Sequence, residues 1–232
     1  MKLSALAMGA LALATATPAM AGDLNGAGAS FPAPIYQRWF KDYADTTGNQ
    51  VNYQAVGSGA GVRQYKAGTT DFGASDKAVS DKKLAGISRP MVQIPMTGGA
   101  IAVAYNKPGC DLKLSQVELA KVFYGHIDNW SEVGCAAGPI TIAVRSDGSG
   151  TTAGFTNSLS AFSPYWDVRV GRGKSVKWPA AGTVAGKGNS GVAGIIKNTP
   201  GSIGYLNYGY VKGSFQQAAI QNKAGNYVRA NA

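Results

Sequence analysis

The sequence predicts an α/β protein with largely parallel sheets. Three observations lead there. Short apolar runs alternate with stretches of helical periodicity along most of the chain. Glycine- and serine-rich turns join a run to the helix that follows it in three places. Glycine makes up 32 of the 232 residues while charged residues are only 15%, the balance of a loop-rich globular chain.

The elements follow in order. Residues 1–21, "MKLSALAMGALALATATPAMA", hold one cation (Lys2), an apolar stretch and a small-residue site before Gly22, the layout of a secretory signal peptide. That stretch is too short to span a bilayer, and no later segment is long enough, so no transmembrane segment is expected. Next, "PIYQRWFKDYADTTGN" places Pro34 at a helix start, repeats Ile35, Trp39 and Tyr43 at helical spacing and closes on Gly48. "VNYQAV" alternates as a strand, "GSGAGVRQYKAGT" opens a helix from a turn, and "TDFGASD" reads as a short buried strand and a loop. "MVQIPM" and "GAIAVAYN" read as apolar strands. "LSQVELAKVFYGHIDNW" carries a capping box, Ser115 with Glu118, and predicts a helical stretch up to Trp130. "PITIAVR" is a strand running into "SDGSGT", and "TTAGFTNSLSAF" is the helix beyond it. "GNSGVAGIIKNTPGSIGYLNYGYV" repeats turn, helix, break and buried strand.

Removing Lys2 leaves 21 cations against 12 carboxylates, a net +9. A basic exported chain without a dense Lys/Arg run points away from nucleic acid and to anionic partners, an acidic surface or a small anion. Cys110 and Cys135 predict one structural disulfide in an oxidising compartment, with free thiols or a metal site as alternatives. With His126 the single histidine, no metal and no cofactor is expected.

The three turns, at 57–61, 148–151 and 188–191, put Gly and Ser or Thr at helix N-termini, where unpaired N–H groups and the positive dipole end attract anions. Arg145 and Asp147 stand at the strand end before the second turn. A hydrolase reading of Asp147, Ser149 and His126 lacks the G-x-S-x-G elbow, and His126 reads as a surface or structural residue. The tryptophans Trp39, Trp166 and Trp178 read as core or lobe-surface residues, together with Phe40 and Tyr43.

"GAGASFPAPIYQRW", "VNYQAVGSGAGVRQ", "DFGASDKAVSD", "RSDGSGTT", "VKWP", "GKGNSGVAG" and "PGSIGYLNYGY", in that order over residues 26–210, resemble the periplasmic phosphate-binding proteins (PstS family) of bacterial ABC importers. The resemblance implies a periplasmic binding protein-like fold: two α/β lobes joined by a hinge around a ligand cleft, here lobe 1 over 22–94 and lobe 2 over 95–232. It implies phosphate held by Ser30, Phe31, Ser58, Asp76, Arg145, Ser149, Gly150 and Thr151. Asp147 then orients Arg145, although capping the next helix is an equal reading of that residue. The family often has threonine where Ser30 stands. Members continue for many more residues and return to complete lobe 1, so a lobe 1 short of its last elements is expected, whether this chain is a fragment or a short relative.

The expected function is therefore non-enzymatic: inorganic phosphate is bound in the periplasm by a monomer and passed to a membrane ABC permease. Another tetrahedral oxyanion, or a secreted phosphatase-like hydrolase, is the alternative. A carboxylate at Asp76 suits phosphate, which keeps a proton near neutral pH, and repels sulfate, which keeps none.

Overall fold

The computed structural model describes residues 22–211, 213 and 215–231. The signal peptide expected over 1–21 lies outside the described residues. The elements are β1 (Leu24–Gly28), α1 (Ala33–Thr47), β2 (Val51–Gln54), α2 (Ser58–Lys66), β3 (Phe72–Ala74), α3 (Asp81–Leu84), β4 (Ile101–Asn106), β5 (Lys113–Leu114), α4 (Gln116–Tyr124), β6 (Thr141–Arg145), α5 (Gly150–Phe162), α6 (Pro164–Arg169), β7 (Val184–Gly186), α7 (Gly188–Asn198), β8 (Ser202–Asn207), β9 (Gln216–Gln217), β10 (Ala219–Gln221) and β11 (Tyr227–Val228).

The first sheet is parallel, in order β2-β1-β3, with Leu24 opposite Val51 and Gly26 opposite Phe72. Its core is small and aromatic. Tyr53 and Phe72 stack at 6.0 Å, and Tyr36 meets Tyr53 edge-on at 5.2 Å. Gly61 lets α2 lie directly on β1, since a Cβ there would stand 2.5 Å from the Ala27 carbonyl oxygen.

The second sheet runs β7-β6-β8-β4-β9. β6 is parallel to β7 and β8, and β4 is antiparallel to β8 over six residue pairs. All six residues of β8 are buried because helices cover both faces. Ile203 and Tyr205 enter the large core with Phe123, Trp130, Phe155 and Trp166, while Leu206 faces Val192 and Ile196 of α7. Burying Phe123 fully contributes roughly 1.5–3 kcal/mol. A third, small sheet, β11-β10-β5, lies beside the disulfide Cys110–Cys135, whose Cα atoms are 5.4 Å apart. The Tyr105 hydroxyl secures that corner by donating to the Cys110 carbonyl (2.7 Å) and accepting from Leu112 N–H (3.1 Å).

Three sequence expectations change. Residues 91–96 form no strand, and Val92 and Ile94 are 83% and 68% exposed. Pro90 and Pro95 remove two ladder donors there, and no described strand pairs with the segment. The capping box of Ser115 and Glu118 starts α4 as expected, but the helix stops at left-handed Gly125. His126 therefore lies beyond the helix, packed on Tyr124 and Tyr165 at 4.4 and 5.3 Å. On α1 the inward face is Ala33, Tyr36 and Phe40, and the predicted Trp39–Tyr43 stripe faces outward.

Candidate anion-binding site

Every candidate site residue lies at or just beyond the carboxyl end of a parallel strand, where crevices of open α/β sheets form. Ser30 and Phe31 follow β1, Ser58 follows β2, Asp76 follows β3, and Arg145 to Thr151 run from the end of β6 into α5. The first three strands belong to one sheet and β6 to the other, so the site forms only where the two sheets' ends face each other.

Ser58 and Asp76 on one side meet α5 on the other. The Ser58 hydroxyl donates to Asp76 Oδ1 (3.1 Å) and its oxygen accepts from Asp76 N–H (3.3 Å) and Gly150 N–H (3.2 Å). The Thr151 hydroxyl donates to Asp76 Oδ2 at 3.0 Å. Gly59 N–H also reaches the Gly148 carbonyl at 2.7 Å. Glycine is required at 150, because a Cβ would stand 2.7 Å from Asp76 Oδ2. Ser58 is not an N-cap, a role that falls to Gly57 at φ 92°. Nor is Asp76 a helix cap, since it receives two hydroxyls instead. Ser149 does cap α5: its oxygen accepts from Thr152 N–H at 3.0 Å, and its N–H donates to the Lys174 carbonyl at 2.8 Å.

Arg145 and Asp147 form a buried pair, their side chains 2% and 11% exposed. Nε donates to Oδ1 (2.8 Å) and Nη2 to Oδ2 (2.5 Å), so one whole edge of the guanidinium is held. Gly188 N–H adds a third bond to Oδ1 at 2.9 Å. Burial pushes the Asp147 carboxyl up, but the Arg145 bonds and charge with the Gly188 N–H outweigh it and hold it below the usual range. Of its two equal readings, orientation of Arg145 is the one the geometry supports, because Ser149 occupies the α5 cap. Arg145 Nη1 is buried without a protein partner among the described residues. The guanidinium thus keeps a donor available in a buried place, where an unmet donor is costly. Behind it, Tyr205 accepts from Arg145 N–H (3.3 Å) and shares a bond with Thr152 (2.6 Å), and burial pushes its hydroxyl up to about 12.

The third turn serves differently from the expectation that it cradles an external anion. Gly188 N–H serves Asp147, and Asn189 gives both its N–H (3.0 Å) and its side-chain amide (2.9 Å) to the Ser30 oxygen. Asn189 Oδ1 accepts from Asn207 N–H at 2.8 Å, and the Tyr210 hydroxyl donates to the Ser30 carbonyl at 2.5 Å. Phe31 starts the approach to α1 with its ring beside Gly99, where a Cβ would lie 2.7 Å from it. Sequence reasoning missed Asn189, Asn207, Tyr210 and Lys174. The "GKGN" turn was the available signal for Asn189, but nothing local said that its donors face Ser30.

The described residues contain no group of His, Cys, Asp and Glu suited to a metal and no helix long and apolar enough to cross a membrane.

Residues 13–230 match the family model for a PBP superfamily domain. The chain is 44% identical over 233 residues to the phosphate-binding protein PstS of Haemophilus influenzae, covering 94% of this chain and 68% of that protein. It is 44% identical to the PstS of Pasteurella multocida (91% and 64%) and 37% identical to that of Methanocaldococcus jannaschii (87% and 58%). Thus it spans about two thirds or less of the length of these relatives. Among solved structures, a high-affinity periplasmic phosphate-binding protein (PfluDING) bound with phosphate superposes with TM-score 0.71 at 25% identity, over 89% of this chain and 64% of that one. A putative phosphate ABC transporter substrate-binding protein from Clostridium perfringens shares the fold, at TM-score 0.70 and 19% identity, over 90% and 84%. Family model, relatives and fold agree: the chain belongs to the PBP superfamily and, within it, to the phosphate-binding protein PstS family.

Proposed function

We propose that this chain binds inorganic phosphate in the periplasm and delivers it to a membrane ABC permease as a non-enzymatic receptor. One observation carries the reading: Arg145, at the end of the strand that leads into α5, is clamped along one edge by Asp147 while its buried Nη1 has no protein acceptor among the described residues. A fixed guanidinium edge next to a helix N-terminus suits a tetrahedral oxyanion. In this reading Arg145, the Ser30 and Ser149 hydroxyls, Ser58, and the backbone of Phe31, Gly150 and Thr151 surround the ligand. Asp76 accepts from the phosphate proton. Its two oxygens already receive Ser58 and Thr151, and a carboxylate has about four acceptor positions, so room remains.

The receptor works as a monomer, its lobes over 22–94 and 95–232 closing around the anion. A hydrolase is the less supported reading. His126 packs on Tyr124 and Tyr165, Asp147 is committed to Arg145, and neither is hydrogen-bonded to Ser149. Calorimetric titration of the purified protein with phosphate, alone and with excess sulfate, tests the proposal. Saturable phosphate binding that sulfate leaves unchanged supports it; equal competition by sulfate, or no heat with phosphate, overturns it.

A further inference from the structure

Lys174 lies outside every residue so far assigned to the anion, yet it joins the two sides of the cleft. Its ammonium donates to the Ser75 hydroxyl oxygen at 2.9 Å, across 99 residues of sequence. Ser75 directly precedes Asp76, and its own hydroxyl hydrogen is committed to the Lys77 carbonyl at 2.6 Å, so its oxygen faces Lys174 as an acceptor. The other end of the connection is rigid. The Lys174 carbonyl receives Ser149 N–H at the start of α5 (2.8 Å), and the preceding Gly173 N–H is held by the Thr156 hydroxyl (3.1 Å). The backbone of this loop is therefore fastened to α5, and its lysine arm reaches over to the loop that carries Asp76.

The arm sits in a mixed field. Burial holds its ammonium below the usual lysine range, the Asp76 carboxylate pulls the other way, and Lys83 and Lys77 push further down. A lysine is a flexible point charge that keeps such a half-buried place when it gains a partner there. Ser75 and the nearby Asp76 carboxylate supply that partner.

We propose that Lys174 is a closure latch: its side chain holds the Asp76 loop against the start of α5 and so slows escape of the anion. The inference deepens the phosphate reading and rests on it for the ligand, but the latch itself is a contact within the protein. A role confined to loop structure belongs to the Lys174 carbonyl, which side-chain substitution leaves in place.

The test uses Lys174→Met, Lys174→Arg, Ser75→Ala and the double variant K174M/S75A. Two readouts are taken on the full chain: phosphate association and dissociation rates by stopped flow, and the distance distribution between spin labels on α1 and α6, with and without phosphate. Lys174→Met is expected to raise koff about tenfold while changing kon less than about twofold, because loss of a contact formed late acts on release. It is also expected to broaden the label distances without added phosphate. Lys174→Arg should restore both, and the double variant should be no worse than Lys174→Met. An unchanged koff together with unchanged distances overturns the latch and leaves the phosphate reading standing. Broadened distances in a protein that binds no phosphate uphold the latch and overturn the phosphate reading. A fall in kon alone overturns the latch in favour of simple attraction of the anion.

Discussion

Ser30 and Asn189, 159 residues apart, are joined twice: the N–H and the side-chain amide of Asn189 both donate to one serine oxygen, at 3.0 and 2.9 Å. An oxygen that accepts two hydrogen bonds has its own hydrogen pushed outward as a donor. Ser30 is thereby fixed as a donor before any ligand is considered, and the two sheets are tied at the same point.

Reversing that polarity is the first prediction. In Asn189→Asp the new carboxylate accepts the Ser30 hydrogen and adds negative charge beside the cleft. Phosphate affinity should fall more than about tenfold, near the ~1.5–3 kcal/mol of a hydrogen bond to a charged group. Calorimetry reads it. Wild-type affinity in the variant removes Ser30 from the ligand set.

Arg145→Lys keeps the charge but not the planar fork. A lysine cannot hold both Asp147 oxygens and present a further donor in the geometry that Nε, Nη2 and Nη1 provide. Phosphate binding is expected to weaken at least about a hundredfold, roughly 3 kcal/mol. Retained affinity measured by titration places the site elsewhere.

The Arg145–Asp147 pair also sets an acid limit on stability. The folded carboxyl lies below its ordinary value of 3.8, so its stabilisation is fully present above that value and is lost as pH falls through the lower, folded one. Asp147→Asn should cost about 3 kcal/mol at neutral pH, because Arg145 is left buried without its countercharge. The melting temperature of the variant should also fall less steeply than the wild type on acidification below that value. Parallel acid profiles refute the assignment.

Asp76→Asn replaces a pure acceptor by a group with one donor end. Sulfate, which offers no proton to a carboxylate, should then compete with phosphate where it did not before. Unchanged selectivity in competition titrations assigns the discrimination to another residue.

Cys110 and Cys135 close a loop 25 residues apart around the Tyr105 corner. Reduction, or Cys110→Ser with Cys135→Ser, should lower unfolding free energy by about 3 kcal/mol in a denaturant titration. Phosphate binding should persist, because neither cysteine approaches Arg145 through any hydrogen bond described above.

Much of this was legible in one dimension. The capping box of Ser115 and Glu118, Gly48 at the end of α1 and the apolar run of β8 are local signals, and each depends on neighbours a few residues away. The motif "RSDGSGT" likewise identified the cation, the cap and the helix start. Signals failed where the deciding partner was distant. Residues 91–96 have the composition of a strand, but a strand needs a neighbour and that segment has none among the described residues. Trp39 and Tyr43 have helical spacing, yet which face of α1 turns inward was decided by Tyr53 and Phe72 of other strands.

By itself the sequence determined the alternating α/β order, the turn at each strand end and the residue types able to meet an oxyanion, because these follow from short-range geometry and side-chain chemistry. Tertiary structure alone decided how those groups are used. It turned the Gly188–Asn189 donors onto Asp147 and Ser30, gave Asp76 two hydroxyls, left Arg145 Nη1 without a partner among the described residues and brought Lys174 to Ser75. The reason is that a hydrogen-bonding group has few positions to fill, and which partner fills them depends on the loops that packing of the two sheets brings face to face.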